Sequence, residues 1–479
     1  MARLLIGSLN SPDHAQEAAM TQNDNPASPN TPTVLLTPLK SALVAGHDQR
    51  LPVLVRVQAP DANPHQVKER PPYHLALVID RSGSMSGEPL EEAKRCAGYI
   101  VDQLKPGDRA ALVQFDNHVE VLAPARPVGD RKALHAALDT ISAGGMTNLH
   151  GGWEAGAREL ADLVRQAGLS RVILLSDGNA NEGLTDASEI AAQCGRLADQ
   201  GVTTSTYGLG RDFNEDLMVA MAKAGQGNHY YGETARDLFE PFAEEFDLLA
   251  NLHARQLRLS LGTPEGVKGT LLNDYVVEER RGFPWVRLPD LAWGAEAWAL
   301  VELHVPAPKD GELVSLLQVE VTGVDLDGQP VAFPPAQLKL LAVSPDLWDA
   351  LLPDALVRQR LNELEAAKLL EQARAAAQRG DWRAIEGMLD EARKRFADNP
   401  WVQQVLANMV DLARVQDQAG FSKEAMFSTR RMRSRLSAKE EMTNLHMDAM
   451  APSFLRRKSA QGKAQYRKGP DSDDTPPKG

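Results

Sequence analysis

The sequence predicts an α/β protein in which a doubly wound domain is inserted in an antiparallel β-sandwich and followed by an α-helical C-terminal module. Two observations predict the inserted domain: apolar runs rich in branched residues, typical of buried parallel strands, and their strict alternation with helical periodicity. Alternating patterns with turn signals on both sides of that domain predict the sandwich. The chain has 479 residues, of which 43% are hydrophobic and 24% charged, as is ordinary for globular proteins.

Composition and periodicity divide the chain into six expected segments. In order, these are a disordered N-terminus (1–32), the first strands of the sandwich (33–60), the α/β domain (72–249), the remaining sandwich (250–345), a helical module (346–416) and a basic, largely flexible tail (417–479). Two strands cannot form an independent sheet with a core. We therefore expect the strands before the α/β domain to pair with strands after it.

The stretch from Ala76 to Gly87 carries the first candidate site. Its apolar run ends at Asp80, and Ser82 and Ser84 follow in a turn before a helical pattern that begins at about Glu88. Asp80 therefore lies at the carboxyl end of a strand, where open α/β sheets bind their ligands. One carboxylate and two hydroxyls suit Mg²⁺, which keeps several waters and seldom takes a full protein cage.

Two later stretches offer what the first one lacks. A glycine-rich loop, 144–148, presents the hydroxyl of Thr147, and a second buried strand, 172–178, ends at Asp177. These three pieces could converge on one ion. The alternative is that Asp and Ser at a strand-to-helix junction simply cap the helix, which applies above all to Ser84.

These pieces, in this order, resemble the von Willebrand factor A domain, which is Rossmann-like, and its metal-ion-dependent adhesion site. The resemblance covers about residues 72–249. It implies a divalent cation, Mg²⁺ or else Mn²⁺ or Ca²⁺, with its open position taken by an Asp or Glu of a partner protein. The implied metal-site residues are Asp80 and Asp177, as ligands or as anchors, and Ser82, Ser84 and Thr147, as ligands directly or through water.

Helical periodicity resumes after the sandwich, at 355–379, and continues to about residue 415. Its first two helices resemble a single tetratricopeptide-like hairpin, which could dock a partner or pack against the sandwich. Residues 421–468 contain twelve Lys and Arg against four Asp and Glu, whereas the whole chain has a net charge of −13. Such a tail could bind an acidic partner or lie on the protein's own acidic surface.

The function predicted from these features is a non-enzymatic protein-interaction module. No nucleophile elbow, phosphate-binding Gly-Lys-Ser/Thr loop or His-Glu-x-x-His helix occurs in the sequence. One alternative is a cytosolic adaptor or co-chaperone of an ATPase, acting through the helical module and the basic tail. Another is a metal-dependent hydrolase or phosphatase, although no general base is identifiable beside the ion. The surface that would carry Asp80, Ser82, Ser84, Thr147 and Asp177 is called the metal face below. His150, close to Thr147 in sequence, is a minor candidate for this face.

The remaining expectations concern the chain's surroundings. The net charge of −13 argues against nonspecific nucleic-acid binding. Cys96 and Cys194 are predicted to be reduced and buried, and no disulfide framework is expected. Because no run of ~18 or more apolar residues occurs, we expect no membrane span and a cytoplasmic location.

Overall fold

The computed structural model describes residues 31–61, 71–164, 166, 168–209, 214–232, 235–280, 283–434 and 436–438. Within these ranges the chain forms a mixed α/β structure with three sheets and a C-terminal helical region, which confirms the predicted fold class. Its first strands are β1 (Thr33–Pro38), β2 (Leu43–Val44) and β3 (Gln49–Gln58).

The α/β domain follows, with a sheet in the order β6-β5-β4-β7-β8-β9 in which β6 alone is antiparallel to its neighbour. Its strands are β4 (Tyr73–Asp80), β5 (Arg109–Phe115), β6 (Val119–Pro127), β7 (Leu169–Ser176), β8 (Val202–Leu209) and β9 (Gln226–Gly232). Its helices are α1 (Glu88–Gln103), α2 (Lys132–Asp139), α3 (Leu149–Ala161), α4 (Ala187–Asp199), α5 (Glu215–Ala224) and α6 (Ala235–Ala250). All eight residues of β4 are buried, because helices cover both faces of the sheet.

Two further sheets combine strands from both sides of the α/β domain. The later strands are β10 (Leu252–Gly262), β11 (Lys268–Leu271), β12 (Val277–Arg280), β13 (Phe283–Arg287), β14 (Leu291–Ala292), β15 (Ala295–Val305), β16 (Leu313–Val324), β17 (Ala336–Val343) and β18 (Ser437–Ala438). One sheet has the order β1-β3-β15-β11, with β18 on β15, and the other has the order β12-β13-β10-β16-β17-β2, with β14 on β10. Buried apolar side chains of both sheets form one core.

The C-terminal helices are α7 (Pro345–Ala350), α8 (Ala355–Gln378), α9 (Trp382–Arg395), α10 (Pro400–Arg414) and α11 (Gln418–Ser434). Helix α8 packs on the first of the two sheets, where the Arg360 guanidinium lies 4.5 Å from the ring centre of Trp298. Arg360 is fully buried there and forms an ion pair with Glu363. Of the two options for the helical region, the structure therefore shows packing against the sheets.

The prediction of a flexible tail from residue 417 is wrong for α11. Phe421, Ala425 and Met432 pack into the core of the helical region, and Phe427 reaches the core of the α/β domain. The high basic charge of this segment concealed an apolar stripe that is long enough to hold a buried helix. The disorder predicted for 1–32 lies almost entirely outside the described residues, as does the remainder of the predicted tail.

Several strands were not predicted. Strand β9 consists of polar, glycine and tyrosine residues and lacks an apolar run, because it closes one edge of the sheet. Strands β11 to β14 are only two to five residues long and carry little periodicity. Without an apolar run, or with too few residues to show a period, such strands carry a weak sequence signal.

Both cysteines are free and buried, as predicted, and burial raises the pKa of the Cys96 and Cys194 thiols. A separate finding concerns the helices. None of those in the described ranges is long and apolar enough to cross a membrane.

Candidate metal site

Asp80 ends strand β4 and is completely buried. Its Oδ1 atom accepts a hydrogen bond from the Ser82 backbone amide at 2.9 Å, and its Oδ2 atom accepts one from the Ser176 hydroxyl at 2.5 Å. The hydroxyl oxygens of Ser82 and Ser84 lie 3.1 Å apart. One carboxylate and two hydroxyls are therefore held together in a single tight turn, by an Asx-type bond that Asp readily forms.

The helix-capping interpretation of these serines is wrong. Helix α1 begins after Gly87, whose φ of 83° is left-handed, and no side chain caps it. The short 3₁₀ turn Gly83–Met85 likewise has no side-chain cap. At helix α3 the cap is Asn148, which accepts a hydrogen bond from the Gly151 amide at 3.0 Å. Neither serine is used to satisfy a helix terminus.

Backbone hydrogen bonds join the three loops that carry the predicted residues. The Gly83 amide donates to the Gly145 carbonyl at 3.0 Å, which links the first loop to the second. The amides of Asn181 and Glu182 donate to the Thr147 carbonyl at 3.1 and 3.2 Å, and the Thr147 amide donates to Asn181 Oδ1 at 2.7 Å. The loops after β4, before α3 and after β7 therefore form one surface at the carboxyl end of the sheet.

Gly145 shows how closely these loops approach each other. Its φ of 72° is left-handed, and a Cβ atom there would lie 2.2 Å from Asn117 Oδ1 and 2.8 Å from Asp116 Oδ2. Both the conformation and the space require glycine. The glycine-rich loop is thus needed for packing next to Thr147.

Two supporting residues were absent from the sequence candidates. Ser176 holds the buried carboxylate of Asp80, and Asp116 forms an ion pair at 2.8 Å with Arg81, the residue after Asp80. Each gave a signal that could have been used: Ser176 directly precedes Asp177, and Asp116 directly follows strand β5. They fix the first loop to its neighbours.

At this edge of the sheet, two ionised carboxylates without a cation beside them are electrostatically unfavourable. Burial raises the pKa of Asp80 to about 6, hydrogen bonds from Ser176 and Ser82 oppose that rise, and the charge of Asp177 adds to it. Asp177 is itself buried, and its Oδ1 accepts the Asn179 amide at 3.1 Å. A cation beside both carboxylates would remove this repulsion.

The donor set fits a hard divalent cation. It consists of two carboxylates and the hydroxyls of Ser82, Ser84 and Thr147, all oxygen ligands of the kind that Mg²⁺ takes. Within the described ranges no group of three or more His, Cys, Asp and Glu side chains could hold a metal, and this donor set instead depends on hydroxyls. His150 is not part of it, since its Nε2 atom lies 2.8 Å from Gln193 Oε1, between α3 and α4.

Residues 74–244 match the von Willebrand factor type A domain. An uncharacterised protein of Synechocystis sp., sll0103, is 28% identical over 256 residues, which are 51% of this chain and 60% of that protein. YfbK of Escherichia coli is 30% identical over 190 residues, which are 39% of this chain and 32% of that protein. Inter-alpha-trypsin inhibitor heavy chain H1 of Mesocricetus auratus is 30% identical over 164 residues, which are 32% of this chain and 18% of that protein. The chain thus spans 60% or less of the length of these relatives.

Two solved structures share the fold over most of the chain. A von Willebrand factor type A protein from Catenulispora acidiphila superposes with a TM-score of 0.61 and 17% identity, covering 81% of this chain and 90% of that one. The ArnB paralog VWA2 from Sulfolobus acidocaldarius superposes with a TM-score of 0.54 and 19% identity, covering 83% of this chain and 99% of that one. At these identities the likeness is one of fold.

Proposed function

We propose that this chain, whose residues 74–244 form a von Willebrand factor type A domain, is a non-enzymatic module that binds a divalent cation and through it a partner protein. Ser82, Ser84 and Thr147 supply the hydroxyl ligands. Asp80 and Asp177 bind the cation directly or hold its waters. The partner contributes the carboxylate of an Asp or Glu.

One observation carries this proposal: the serine hydroxyls lie beside a buried carboxylate and cap no helix. The Ser82 side chain is buried and that of Ser84 is exposed, so the pair lies between the buried carboxylate and solvent, where a cation has access to both hydroxyls. The neighbouring loop supports the same conclusion, because the Thr147 hydroxyl forms no hydrogen bond with any described residue, while its backbone is fixed by Asn181. These side chains are held in place and still have acceptor capacity.

The chain's own residues account for the predicted selectivity for acids. When bound, the cation supplies a positive charge that a carboxylate can coordinate. The three hydroxyl ligands are neutral and therefore leave much of that charge uncompensated. Ser84 and Met146 are exposed at this edge, so that a side chain of another protein can approach the site.

The adaptor function, acting through basic residues of the tail, has no comparable support. Arg433 binds Glu371 at 2.6 and 2.8 Å, and Arg430 donates to the Gly227 carbonyl at 2.8 Å. The Arg433 guanidinium is thus paired within the molecule, and one amino group of Arg430 is bound to the backbone. We therefore favour the metal face as the partner-binding surface.

Titration with Mn²⁺, followed by electron paramagnetic resonance, tests the cation site directly. We expect Ser84→Ala to weaken Mn²⁺ binding by about tenfold or more, because one ligand is lost. Ser86→Ala is the matched control, since Ser86 is an exposed serine two residues away that lies outside the donor set. Equal affinity of the two variants, or no saturable Mn²⁺ binding by the wild type, contradicts the proposal.

The partner is sought by affinity capture from cell lysate with wild type and Ser84→Ala, each with Mg²⁺ and with EDTA. A protein retained only by wild type with Mg²⁺, and released by mutating one of its own acidic residues, is the expected result. An identical set of proteins under all four conditions would exclude the metal face as the binding surface.

A further inference from the structure

A cavity of about 250 Å³ lies at the opposite end of the parallel sheet. Gln226 at the start of β9 and Arg171 near the start of β7 form one wall. Tyr275, just before β12, and Arg287, at the end of β13, form another wall. Arg430 of α11 forms the third. Three parts of the chain therefore enclose it.

Six basic side chains face this cavity, against four acidic ones. Most of the charges are paired. Arg171 binds Glu245, Arg287 binds Asp199 at 2.6 Å, Arg433 binds Glu371 at 2.6 Å and Lys223 binds Asp274 at 2.6 Å. These pairs explain how the wall can hold so many cations.

Arg430 differs from these four. Its Nη2 donates to the Gly227 carbonyl at 2.8 Å, and within the described residues it forms no ion pair with an acidic side chain. Its Nη1 atom is buried without a hydrogen-bond partner in the same part of the chain. Burial lowers the pKa of Arg430 to about 10, against the opposing effects of Tyr230 and Glu245. A guanidinium placed this way destabilises the ligand-free protein, because a buried charge without a counter-ion is costly.

A second donor next to Arg430 is also unused. The Nε2 atom of Gln226 is buried, and none of the described residues accepts a hydrogen bond from it. Gln226 has a φ of 55°, which is left-handed and uncommon for a residue other than glycine. Backbone strain of this kind is often kept at binding sites. Neither Arg430 Nη1 nor Gln226 Nε2 has a hydrogen bond to lose when it donates to a ligand, and Arg430 Nη2 can keep its bond to the Gly227 carbonyl.

We propose that this cavity binds a small organic oxyanion, a carboxylate or a phosphate ester, with Arg430 and Gln226 as its donors. The planar guanidinium suits either group, since it can donate two parallel hydrogen bonds. Apolar residues of the same wall, among them Leu248, Leu288 and Phe427, would contact the organic part. The volume is slightly below the common range for small-molecule sites, about 300–1,000 Å³, so the ligand is a small one. This site is independent of the proposed cation site.

Isothermal titration calorimetry of the full chain in EDTA tests the proposal. EDTA removes free divalent cations, so that no cation at the metal face can bind the anionic probe. The probes are inorganic phosphate and acetate, for the head groups alone, and phenyl phosphate and benzoate, which add an apolar ring. We expect saturable binding, tighter for the ring-bearing probe of the preferred head group. Binding of phosphate and phenyl phosphate indicates a phosphate site, and binding of acetate and benzoate indicates a carboxylate site.

Three variants decide whether the cavity is responsible. Arg430→Gln is expected to weaken binding at least about tenfold, since a charged hydrogen bond is lost. Gln226→Asn shortens the side chain by one methylene group, and Asn tolerates the left-handed backbone conformation. We expect it to weaken binding several-fold. This second variant keeps the proposal testable if Arg430→Gln does not fold. Arg414→Gln is the matched control: Arg414 pairs with Asp411 on α10, is 70% exposed and is absent from the cavity wall.

Unchanged affinity in both Arg430→Gln and Gln226→Asn would overturn the proposal. So would equal weakening by Arg414→Gln, which would indicate general attraction of anions to the surface. Absence of saturable binding by the wild type below about 10 mM leads to the same conclusion. Because the tests are made without divalent cations, failure here leaves the metal-dependent function untouched.

Discussion

The two ends of the parallel sheet carry opposite charge imbalances. At the carboxyl end, Asp80 and Asp177 are buried near each other, and the pKa of Asp80 is raised to about 6, first by burial. At the amino end, the buried guanidinium of Arg430 has no acidic partner among the described residues. One end therefore carries excess negative charge, and the other carries a buried positive charge. Both imbalances occur beside otherwise well-paired charges, and buried charges of this kind are candidates for binding sites.

A buried ion pair beside the cavity is the reference with which the unpaired charges of Asp80 and Arg430 can be compared. Arg171 and Glu245 are almost completely buried and form an ion pair, with Ser205 donating to Glu245 at 2.7 Å. We expect Arg171→Gln to lower the free energy of unfolding by about 3–5 kcal/mol, because Glu245 would be left buried without its partner. Urea denaturation in EDTA measures this.

The control for that variant is Arg158→Gln on α3, which breaks an exposed pair with Glu154 and should cost at most ~1 kcal/mol. A similar loss in the two variants would mean that burial does not strengthen the Arg171 pair.

The same pair predicts a pH dependence. Burial raises the pKa of Glu245, but the Arg171 guanidinium outweighs it, so the pKa lies below its ordinary value. The unfolded chain therefore binds the proton more readily, and the stabilisation is complete above the unfolded pKa of about 4.3. We expect the stability difference between wild type and Arg171→Gln to be largest above about pH 7 and to shrink as the pH falls, because the buried Glu245 of the variant, without its guanidinium partner, takes up a proton more readily than that of the wild type. A difference that grows on acidification would contradict this assignment.

Removing a charge at the carboxyl end of the sheet should stabilise the protein, whereas removing the charge of Arg171 should destabilise it. Asp80→Asn removes a disfavoured charge and keeps the shape, so we expect it to raise the free energy of unfolding in EDTA by about 1–3 kcal/mol at pH 7.5. The same variant should lose the rise in melting temperature that Mg²⁺ gives the wild type. Differential scanning calorimetry with EDTA and with Mg²⁺ measures both effects. A variant less stable than wild type in EDTA would show that the two hydrogen bonds accepted by the Asp80 carboxylate outweigh the cost of burying its charge.

The smallest effect is expected at Arg430. Arg430→Gln is the same chemical change as Arg171→Gln in another wall of the same cavity, but here no acidic group among the described residues loses an ion-pair partner. Loss of the hydrogen bond to Gly227 and relief of the buried charge largely offset each other, so we expect a change within about 1 kcal/mol in the absence of anions. Urea denaturation of both variants side by side gives the comparison. A loss as large as that of Arg171→Gln would assign Arg430 a structural role.

Much of the metal face was predictable because its residues follow strand ends. Asp80 and Asp177 each close an apolar run, and the turn of Ser82 and Ser84 is local in sequence. The carboxyl ends of neighbouring parallel strands meet at one edge, so strand order alone brings such residues close. The loop of Thr147 required the resemblance in addition, since no strand precedes it directly. Whether these residues bind a metal stays a prediction.

The supporting contacts were less predictable. Ser176 and Asp116 stabilise the site through side-chain hydrogen bonds and an ion pair whose partners are distant in sequence. Helix α11 was misassigned because its charge was conspicuous and its apolar stripe was not. Burial depends on what a segment finds to pack against, and Phe427 finds the core of a domain some 200 residues earlier in the chain.

The sequence by itself determined the alternation of strands and helices, the α/β class and the metal-site candidates Asp80, Ser82, Ser84 and Asp177, since these depend on patterns within short stretches; the fifth, Thr147, needed the family resemblance as well. Only the tertiary structure decided the rest. The cavity exists because three distant parts of the chain meet, and the bond from Arg430 to Gly227 joins residues 203 positions apart. Local patterns determine which side chains a strand end presents. Whether a charge finds its partner depends on long-range packing, which no short stretch encodes.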